Sequence, residues 1–343
     1  MSVFFIAEAG VNHNGDLARA LDMVDAAAEA GANAIKFQTF TAEKLVSPTA
    51  PKADYQKRQT GEGNQFDMLK ALELSENDHR QLFDRCVERG IEFMSTPFDA
   101  DALDFLVDLG MVRLKVPSGE LVNHPFLRKI AAKNRAIILS TGMGTMEEIH
   151  EAVAVIARAR TDHGFGTPLP DMLTILHCTS NYPAACSDVN LRAMVTIGNE
   201  TGIPIGYSDH TLGMAVSTAA VGMGATVIEK HFTMDRKALG PDHLASLTVN
   251  ELVALIAQIR DVEAALGSSL KAPNAAEMPV RAVARRSVCA VEDLAAGHVL
   301  TEDDLTLLRP ASGIEPKHFE AVQGRTLARD VAAGNPLLWN DLA

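Results

Sequence analysis

IPIGYSDHTLGMAVSTAAVGMGATVIEKHF, residues 203–232, decides how the chain is read. Two short apolar runs, 203–207 and 226–228, each lead to a histidine, His210 and His231, and a helix-sized insert at 213–224 separates them. Runs joined in this way read as parallel strands of one sheet, which brings both imidazoles to the same carboxyl edge. Glu229 shares the face of His231, because side chains on a strand alternate with a period of two. Two histidines meeting at that edge make a divalent-metal site; for either histidine alone, a hydrogen-bonded strand-end residue is the competing account.

The same unit recurs outward from this stretch. Strands are expected at 4–9, 34–39, 92–96, 113–117, 136–141, 173–179, 203–208 and 226–231, with helices at 17–30, 76–89, 100–109, 125–133, 146–160, 190–201, 214–222 and 250–266. The helix at 146–160 carries Ile149, Val153 and Ile156 at helical spacing, a stripe suited to covering a sheet. Eight strand–helix units in about 265 residues predict an α/β fold, a closed (β/α)8 TIM barrel over 1–266, with a doubly wound open sheet as the alternative. The polar insert at 42–74, with TGEGNQ at 60–65, is expected to cover the active site. A linker is expected at 267–284. Beyond it, 285–343 reads as a small, mostly β module, in which AAGHVLTEDDL (295–305) is echoed by VAAGNPLLWNDL (331–342).

A net charge of −13 on 343 residues argues against nucleic acid or an anionic membrane as partner, so an anionic small molecule would need a local pocket of lysines. The N-terminus lacks a basic region and a cleavage site, and no apolar run approaches the roughly 18 residues of a membrane span. Cys86, Cys178, Cys186 and Cys289 show no paired spacing. Cytoplasm is the expected compartment.

A barrel gathers its strand ends at one mouth, and these ends are rich in reactive groups. In order they are Glu8, Asn12 and His13; Lys36 and Gln38; Ser95 and Thr96; Lys115, Ser118 and Glu120; Ser140, Thr141 and Gly142; His177, Thr179, Ser180 and Tyr182; Ser208, Asp209 and His210; and Glu229, Lys230 and His231. Two lysines among Ser and Thr hydroxyls suit a phosphate and a carboxylate, since they offer donors and positive charge. PSGE (117–120) and STGMG (140–144) can add backbone N–H groups or a helix N-terminus, although an ordinary strand-to-helix turn also accounts for STGMG. Cys178 reads as a small core residue. Asp242 reads as a ligand for a sugar hydroxyl or a metal-bound water, or as a turn former.

EAGVNHNG (8–15), IKFQTF (35–40), STPF (95–98), KVPSGE (115–120), ILSTGM (138–143), HCTSNYP (177–183), YSDHT (207–211) and EKHFT (229–233) together resemble the sialic acid synthase family, the phosphoenolpyruvate-condensing nonulosonate synthases. The segment from RRSVCA (285–290) through LLRP to Leu342 is similar to that family's C-terminal antifreeze-like (SAF) module. The resemblance implies a metal-assisted condensation of phosphoenolpyruvate with the open-chain aldehyde of N-acetylmannosamine, giving a nine-carbon 2-keto acid and phosphate. The alternative within the family is a legionaminic acid synthase using 2,4-diacetamido-2,4,6-trideoxymannose; outside it stand another metal-dependent barrel aldolase or synthase and a non-catalytic binding protein.

By the same resemblance, His210 and His231 would bind Mn²⁺, or Mg²⁺ or Co²⁺. Lys115, Ser118, Ser140 and Ser180 would hold the phosphate, with Ser180 standing where the family often has asparagine. Lys36, Thr96 and Ser208 would hold the carboxylate, and Gln38, Glu120, Tyr182 and Asp242 would contact the sugar. Arg309 would reach the mouth from a neighbouring subunit, which implies a domain-swapped homodimer. Glu8 and Glu229 join the two histidines as catalytic candidates, Glu8 as base or as orienting group. ALGPDH (238–243) departs from the family's PGPDH and bears on the sugar contacts.

Overall fold

The computed structural model describes residues 2–343. The expected apolar runs form eight strands, β1 (Phe4–Gly10), β2 (Ala34–Thr39), β3 (Glu92–Pro97), β4 (Arg113–Val116), β5 (Ala136–Ser140), β6 (Leu173–Cys178), β7 (Ile205–Asp209) and β8 (Val227–Thr233). Their ladders are parallel and run in the order β3-β2-β1-β8-β7-β6-β5-β4. Pairing of the first strand with the last closes what an open doubly wound sheet would leave apart. β3 and β4, the ends of that path, lie against each other, so the sheet is a nearly closed (β/α)8 barrel.

The helices are α1 (Leu17–Glu29), α2 (Ala42–Leu45), α3 (Asp54–Thr60), α4 (Gln65–Lys70), α5 (Glu76–Arg89), α6 (Ala100–Leu109), α7 (His124–Ala131), α8 (Met146–Asp162), α9 (Arg192–Thr201), α10 (Ala215–Gly222) and α11 (Val249–Leu266). Local sequence starts several of them. Ser75 with Asp78, Thr145 with Glu148 and Thr248 with Glu251 each form a reciprocal cap that satisfies the first free N–H groups. α2, α3 and α4 all lie in the polar insert at 42–74, which is therefore built of short helices rather than irregular loop.

The core has two shells. Outward-facing strand residues such as Phe5, Ala7, Ile35, Phe37, Leu139 and Tyr207 pack under the helices. Inward-facing Ile6, Ala34, Met94, Ile138, Leu176 and Val227 fill the barrel as an apolar plug. Gly206 makes room for that plug: a Cβ there would fall 2.5 Å from Leu176 Cδ2 and 2.4 Å from the Val227 carbonyl oxygen.

The chain divides into two units, the first ending at Gly267 and the second comprising Ser268–Ala343. A ninth strand, β9 (Leu247–Thr248), adds to β8 in the first unit. The second unit holds α12 (Glu277–Ala284), an antiparallel pair β10 (Ser287–Ala290) and β11 (Leu305–Leu308), α13 (Phe319–Val322), and several isolated bridges around a small core that includes Val288, Leu300, Val322 and Leu337. α12 occupies part of the stretch read from sequence as a linker. Among the described residues, no helix is long and apolar enough to cross a membrane.

Candidate active site

Two residues beyond each member of the apolar plug, the period of two turns a polar side chain into the barrel. Ile6 leads to Glu8, Ala34 to Lys36, Met94 to Thr96, Ile138 to Ser140, Leu176 to Cys178, and Val227 to Glu229. Gly206 leads likewise to Ser208, and Arg113 to Lys115. Strand register sets their heights: Glu8 is level with Lys36 on one side and His231 on the other, and Ser208 is level with Glu229. The mouth floor is thus a polar ring lying on an apolar plug.

Both expected lysines lie in this ring, buried. Lys36 Nζ is 2.8 Å from Glu8 Oε2 and 3.6 Å from Glu229 Oε2, and donates to Thr96 Oγ1 at 3.0 Å. Lys115 Nζ is 3.6 Å from Glu229 Oε1 and donates to Ser140 Oγ at 2.7 Å. Ser208 Oγ donates to Glu229 Oε1 at 2.9 Å.

The two carboxyls share this neighbourhood but not its effect. Burial disfavours ionisation of both; for Glu229, Lys115 and Lys36 outweigh it and hold the carboxyl well below its ordinary range. For Glu8, burial wins over Lys36, Glu229 adds repulsion, and the carboxyl is pushed up to about 8. Burial and the nearby Lys36 draw the Lys115 ammonium down against the pull of Glu229.

The histidines from β7 and β8 sit above the ring, with ring centroids 5.6 Å apart. His210 Nδ1 lies 2.7 Å from the Thr179 carbonyl, which accepts only if that nitrogen carries the proton; Nε2 is then left with a free lone pair. His231 Nδ1 is buried without a hydrogen-bond partner, 3.9 Å from Asp242 Oδ2. Burial pushes both imidazoles towards the neutral form, the metal-binding state. Among the described residues no cluster of three or more His, Cys, Asp or Glu donors converges. Two neutral imidazoles can hold a divalent ion and leave its other positions to water and substrate.

Beside Lys115, the β4 and β5 ends form a small cradle. The Gly142 N–H donates to Ser118 Oγ at 3.0 Å, and Ser118 Oγ is 3.1 Å from Cys178 Sγ. A Cβ on Gly142 would meet Ser180 Oγ at 2.3 Å, so only glycine lets these groups converge. The α8 N-terminus, by contrast, is occupied by its own Thr145–Glu148 cap.

The cover brings aromatic groups over the histidines. The Tyr182 ring is 4.1 Å from that of His210, and Tyr55 of α3 stacks on Tyr182 at 5.3 Å. Asp242 is buried near Tyr55 and His231, and burial pushes its carboxyl up to about 6. Asn12 and Asn14 hold the turn that carries it: Asn12 Nδ2 donates to the Phe232 carbonyl and to Ser246 Oγ, and Asn14 Nδ2 donates to the Leu239 carbonyl. His243 closes the network through Thr233 Oγ1 and Asn14 Oδ1.

Other expected residues fall elsewhere. Gln38 lies on the inward face of β2, while Glu120 is half-buried just past β4 and accepts from Asn123 Nδ2. His177 turns away from the mouth, with Nε2 2.7 Å from the Val189 carbonyl. Ser95 also faces outward, bonded to Thr39 beneath His79. Arg309 is exposed in the second unit, directly after β11.

One feature was missed in the sequence and one misplaced. Cys178, read as core packing, faces the cradle; the plug spacing from Leu176 was the available signal. Asp209 and Lys230, expected from the sequence among the mouth groups, instead form a fully buried pair at 2.7 Å outside the mouth, next in sequence to the two histidines. Asp209 also accepts from Thr211 and Ser217, and Lys230 from its side donates to the Thr211 carbonyl.

Buried ammoniums, carboxyls of opposite protonation tendency and neutral imidazoles at the carboxyl end of a (β/α)8 barrel define an enzyme for a small anionic substrate. The NeuB family model matches residues 23–271, and the SAF domain model matches residues 285–343. The chain is 51% identical over 343 residues to N,N'-diacetyllegionaminic acid synthase of Legionella pneumophila, covering 100% of this chain and 95% of that relative. It is 37% identical over 305 residues to human N-acetylneuraminate-9-phosphate synthase, covering 89% and 82% of the two chains. The crystal structure of N-acetylneuraminic acid synthetase from Leptospira borgpetersenii serovar Hardjo-bovis, in complex with citrate, superposes with a TM-score of 0.70 at 34% identity, covering 82% of this chain and 90% of that one. The chain belongs to the NeuB family, and is a phosphoenolpyruvate-dependent, carbon–carbon bond-forming nonulosonate synthase with a C-terminal SAF domain.

Proposed function

We propose that the enzyme is an N,N'-diacetyllegionaminic acid synthase, which condenses phosphoenolpyruvate with 2,4-diacetamido-2,4,6-trideoxymannose and water and releases phosphate. The observation that carries this choice of sugar is the 51% identity, over the whole chain, to the Legionella pneumophila synthase, against 37% to the human N-acetylneuraminate-9-phosphate synthase. The N-acetylmannosamine reading made from the sequence is thereby the less favoured of the two.

In this reading Lys115, Ser118, Ser140 and Ser180 hold the phosphate, and Lys36, Thr96 and Ser208 hold the carboxylate. The lysines now face Glu229, so the substrate enters a pocket whose two positive charges are already fixed in place and whose net charge is kept low by one ionised carboxylate. His210 and His231 would hold a divalent ion, Mn²⁺ by the resemblance, which when bound supplies Lewis-acid polarisation of the sugar aldehyde. Tyr182, Asp242, Gln38 and Glu120 orient the sugar, and the cover excludes water from the face opposite the plug.

Carbon 3 of phosphoenolpyruvate forms the new bond to the aldehyde carbon, whose oxygen gains a proton. Water adds at carbon 2 and loses a proton, and carbon–oxygen cleavage then expels phosphate and leaves the ketone. Glu8 is the group placed to exchange these protons, since of the ring's two carboxyls it is the one that tends to hold a proton near neutral pH. The reading also carries the homodimer in which Arg309 completes the neighbouring mouth. Phosphate release by the purified protein, assayed with each sugar with and without Mn²⁺, tests it; release that is faster with N-acetylmannosamine would reverse the choice of sugar.

A further inference from the structure

A cavity of about 660 Å³ lies between the cover and the turn at 239–241, bounded by Asn14, Lys52, Gln59, Met68, Leu72 and Leu239 among others. Its lining is of two chemical kinds. Met68 and Leu72 from the cover and Leu239 from the turn give it apolar lining, and Leu239 is 81% exposed, an unpacked aliphatic side chain at the lip. Lys52, also of the cover, lines it as well and is only 7% exposed; its Nζ donates to the carbonyls of Gly61 at 3.1 Å and Glu62 at 3.4 Å. Among the described residues no carboxylate pairs with it, and its third N–H has no acceptor.

This cavity shares walls with the sugar end of the mouth. Gln59, one turn beyond Tyr55 on α3, lines it and donates to the Tyr182 carbonyl at 3.3 Å. Pro241 lines it and immediately precedes Asp242. The cavity therefore adjoins the two residues, Tyr182 and Asp242, that the proposed function assigns to the sugar.

We propose that this cavity is the specificity pocket for the sugar's C4 and C6 substituents, taking an acetamido group and a methyl group. The inference rests on the sugar reading above and deepens it. The substrate proposed there differs from N-acetylmannosamine by an acetamido in place of the C4 hydroxyl and a methyl in place of the C6 hydroxymethyl. An acetamido carbonyl accepts from the free Lys52 N–H, and its methyl and the C6 methyl pack on Met68, Leu72 and Leu239. Hydroxyls placed against those apolar side chains lose water without gaining partners.

The test compares kcat/KM for the two sugars in the wild type, Leu239→Asp and Lys52→Met, with N-acetylmannosamine followed as a competitor if it is not turned over. Leu239 is exposed, so its variant reports on the pocket independently of folding. The expected result is a fall of about tenfold or more in preference for the diacetamido sugar in each variant, with KM for phosphoenolpyruvate within about twofold of wild type. A preference unchanged in Leu239→Asp, or a parallel loss for both sugars and phosphoenolpyruvate, overturns the pocket assignment alone. A wild type that prefers N-acetylmannosamine overturns the sugar reading and this inference with it.

Discussion

Lys36 approaches Glu8 to 2.8 Å, closer than it comes to Glu229, yet Glu8 is the carboxyl that tends to stay protonated. The reason is number: Glu229 has two ammoniums within 3.6 Å, while Glu8 has one, shared, and is buried with it. A carboxyl raised from its ordinary value of 4.5 to about 8 contributes stability below the unfolded value, and that contribution is lost as pH rises through about 8. Glu8→Gln should flatten the decline in melting temperature between about pH 5 and 8 and remove the matching limb from the pH profile of kcat/KM. An unchanged profile would separate Glu8 from the chemistry.

The histidine pair makes a second prediction. His210→Ala and His231→Ala should each lower metal-supported turnover by about a hundredfold or more, and Mn²⁺ titration followed by electron paramagnetic resonance should show weakened binding, with circular dichroism near that of wild type. Chelation of the wild type should abolish turnover, and added Mn²⁺ should restore it. Full activity in either variant would remove that residue from the site.

Much of this was legible because the barrel interior obeys a simple rule. Ile6 and Glu8, Ala34 and Lys36, or Val227 and Glu229 differ by two positions, so the change from apolar to polar along each strand marks the height of the mouth. The helices expected at 76–89 and 146–160 start where they were read, and Ser75 and Thr145 cap them locally. Tertiary contacts were not. Nothing local to Cys178 says that Ser118 comes to 3.1 Å, because that contact joins residues 60 apart. His177 misled for the complementary reason: a strand-end histidine looks functional whichever face it takes, and here it bonds outward to Val189. The Ala71 and Glu73 region of the insert presses on the β1 loop near Gly15, a packing with no signature in a polar stretch.

The cradle around Gly142 gives a third prediction. Gly142→Ala would place a methyl 2.3 Å from Ser180 Oγ and 2.8 Å from Cys178 Sγ, forcing the phosphate-binding groups apart. KM for phosphoenolpyruvate should rise about tenfold or more, with a smaller effect on the sugar. A normal KM would show that Ser118 and Ser180 do not bind the phosphate.

Asp209 and Lys230 predict a loss of stability rather than of binding chemistry. The pair is fully buried at 2.7 Å, so Lys230→Met leaves an uncompensated carboxylate and should cost about 3–5 kcal/mol in urea unfolding. The double variant Asp209→Asn with Lys230→Met should recover part of that loss, which a packing defect alone would not.

Arg309 tests the proposed dimer. Arg309→Ala should raise KM for the sugar more than KM for phosphoenolpyruvate, and mixing it with a variant inactive in the mouth, such as Lys115→Ala, should restore activity by placing an intact Arg309 beside an intact barrel. No recovery on mixing would count against a mouth shared between subunits.

The central claim is that this mouth joins phosphoenolpyruvate to a diacetamido sugar with Mn²⁺ present. Incubation of the purified protein with phosphoenolpyruvate, Mn²⁺ and 2,4-diacetamido-2,4,6-trideoxymannose, with products analysed by mass spectrometry, tests it most directly. The account predicts one phosphate released per nine-carbon 2-keto acid formed, and H₂¹⁸O label in the acid's C2 oxygen rather than in phosphate. Label appearing in phosphate, or no product from any acylated aminosugar, would contradict it.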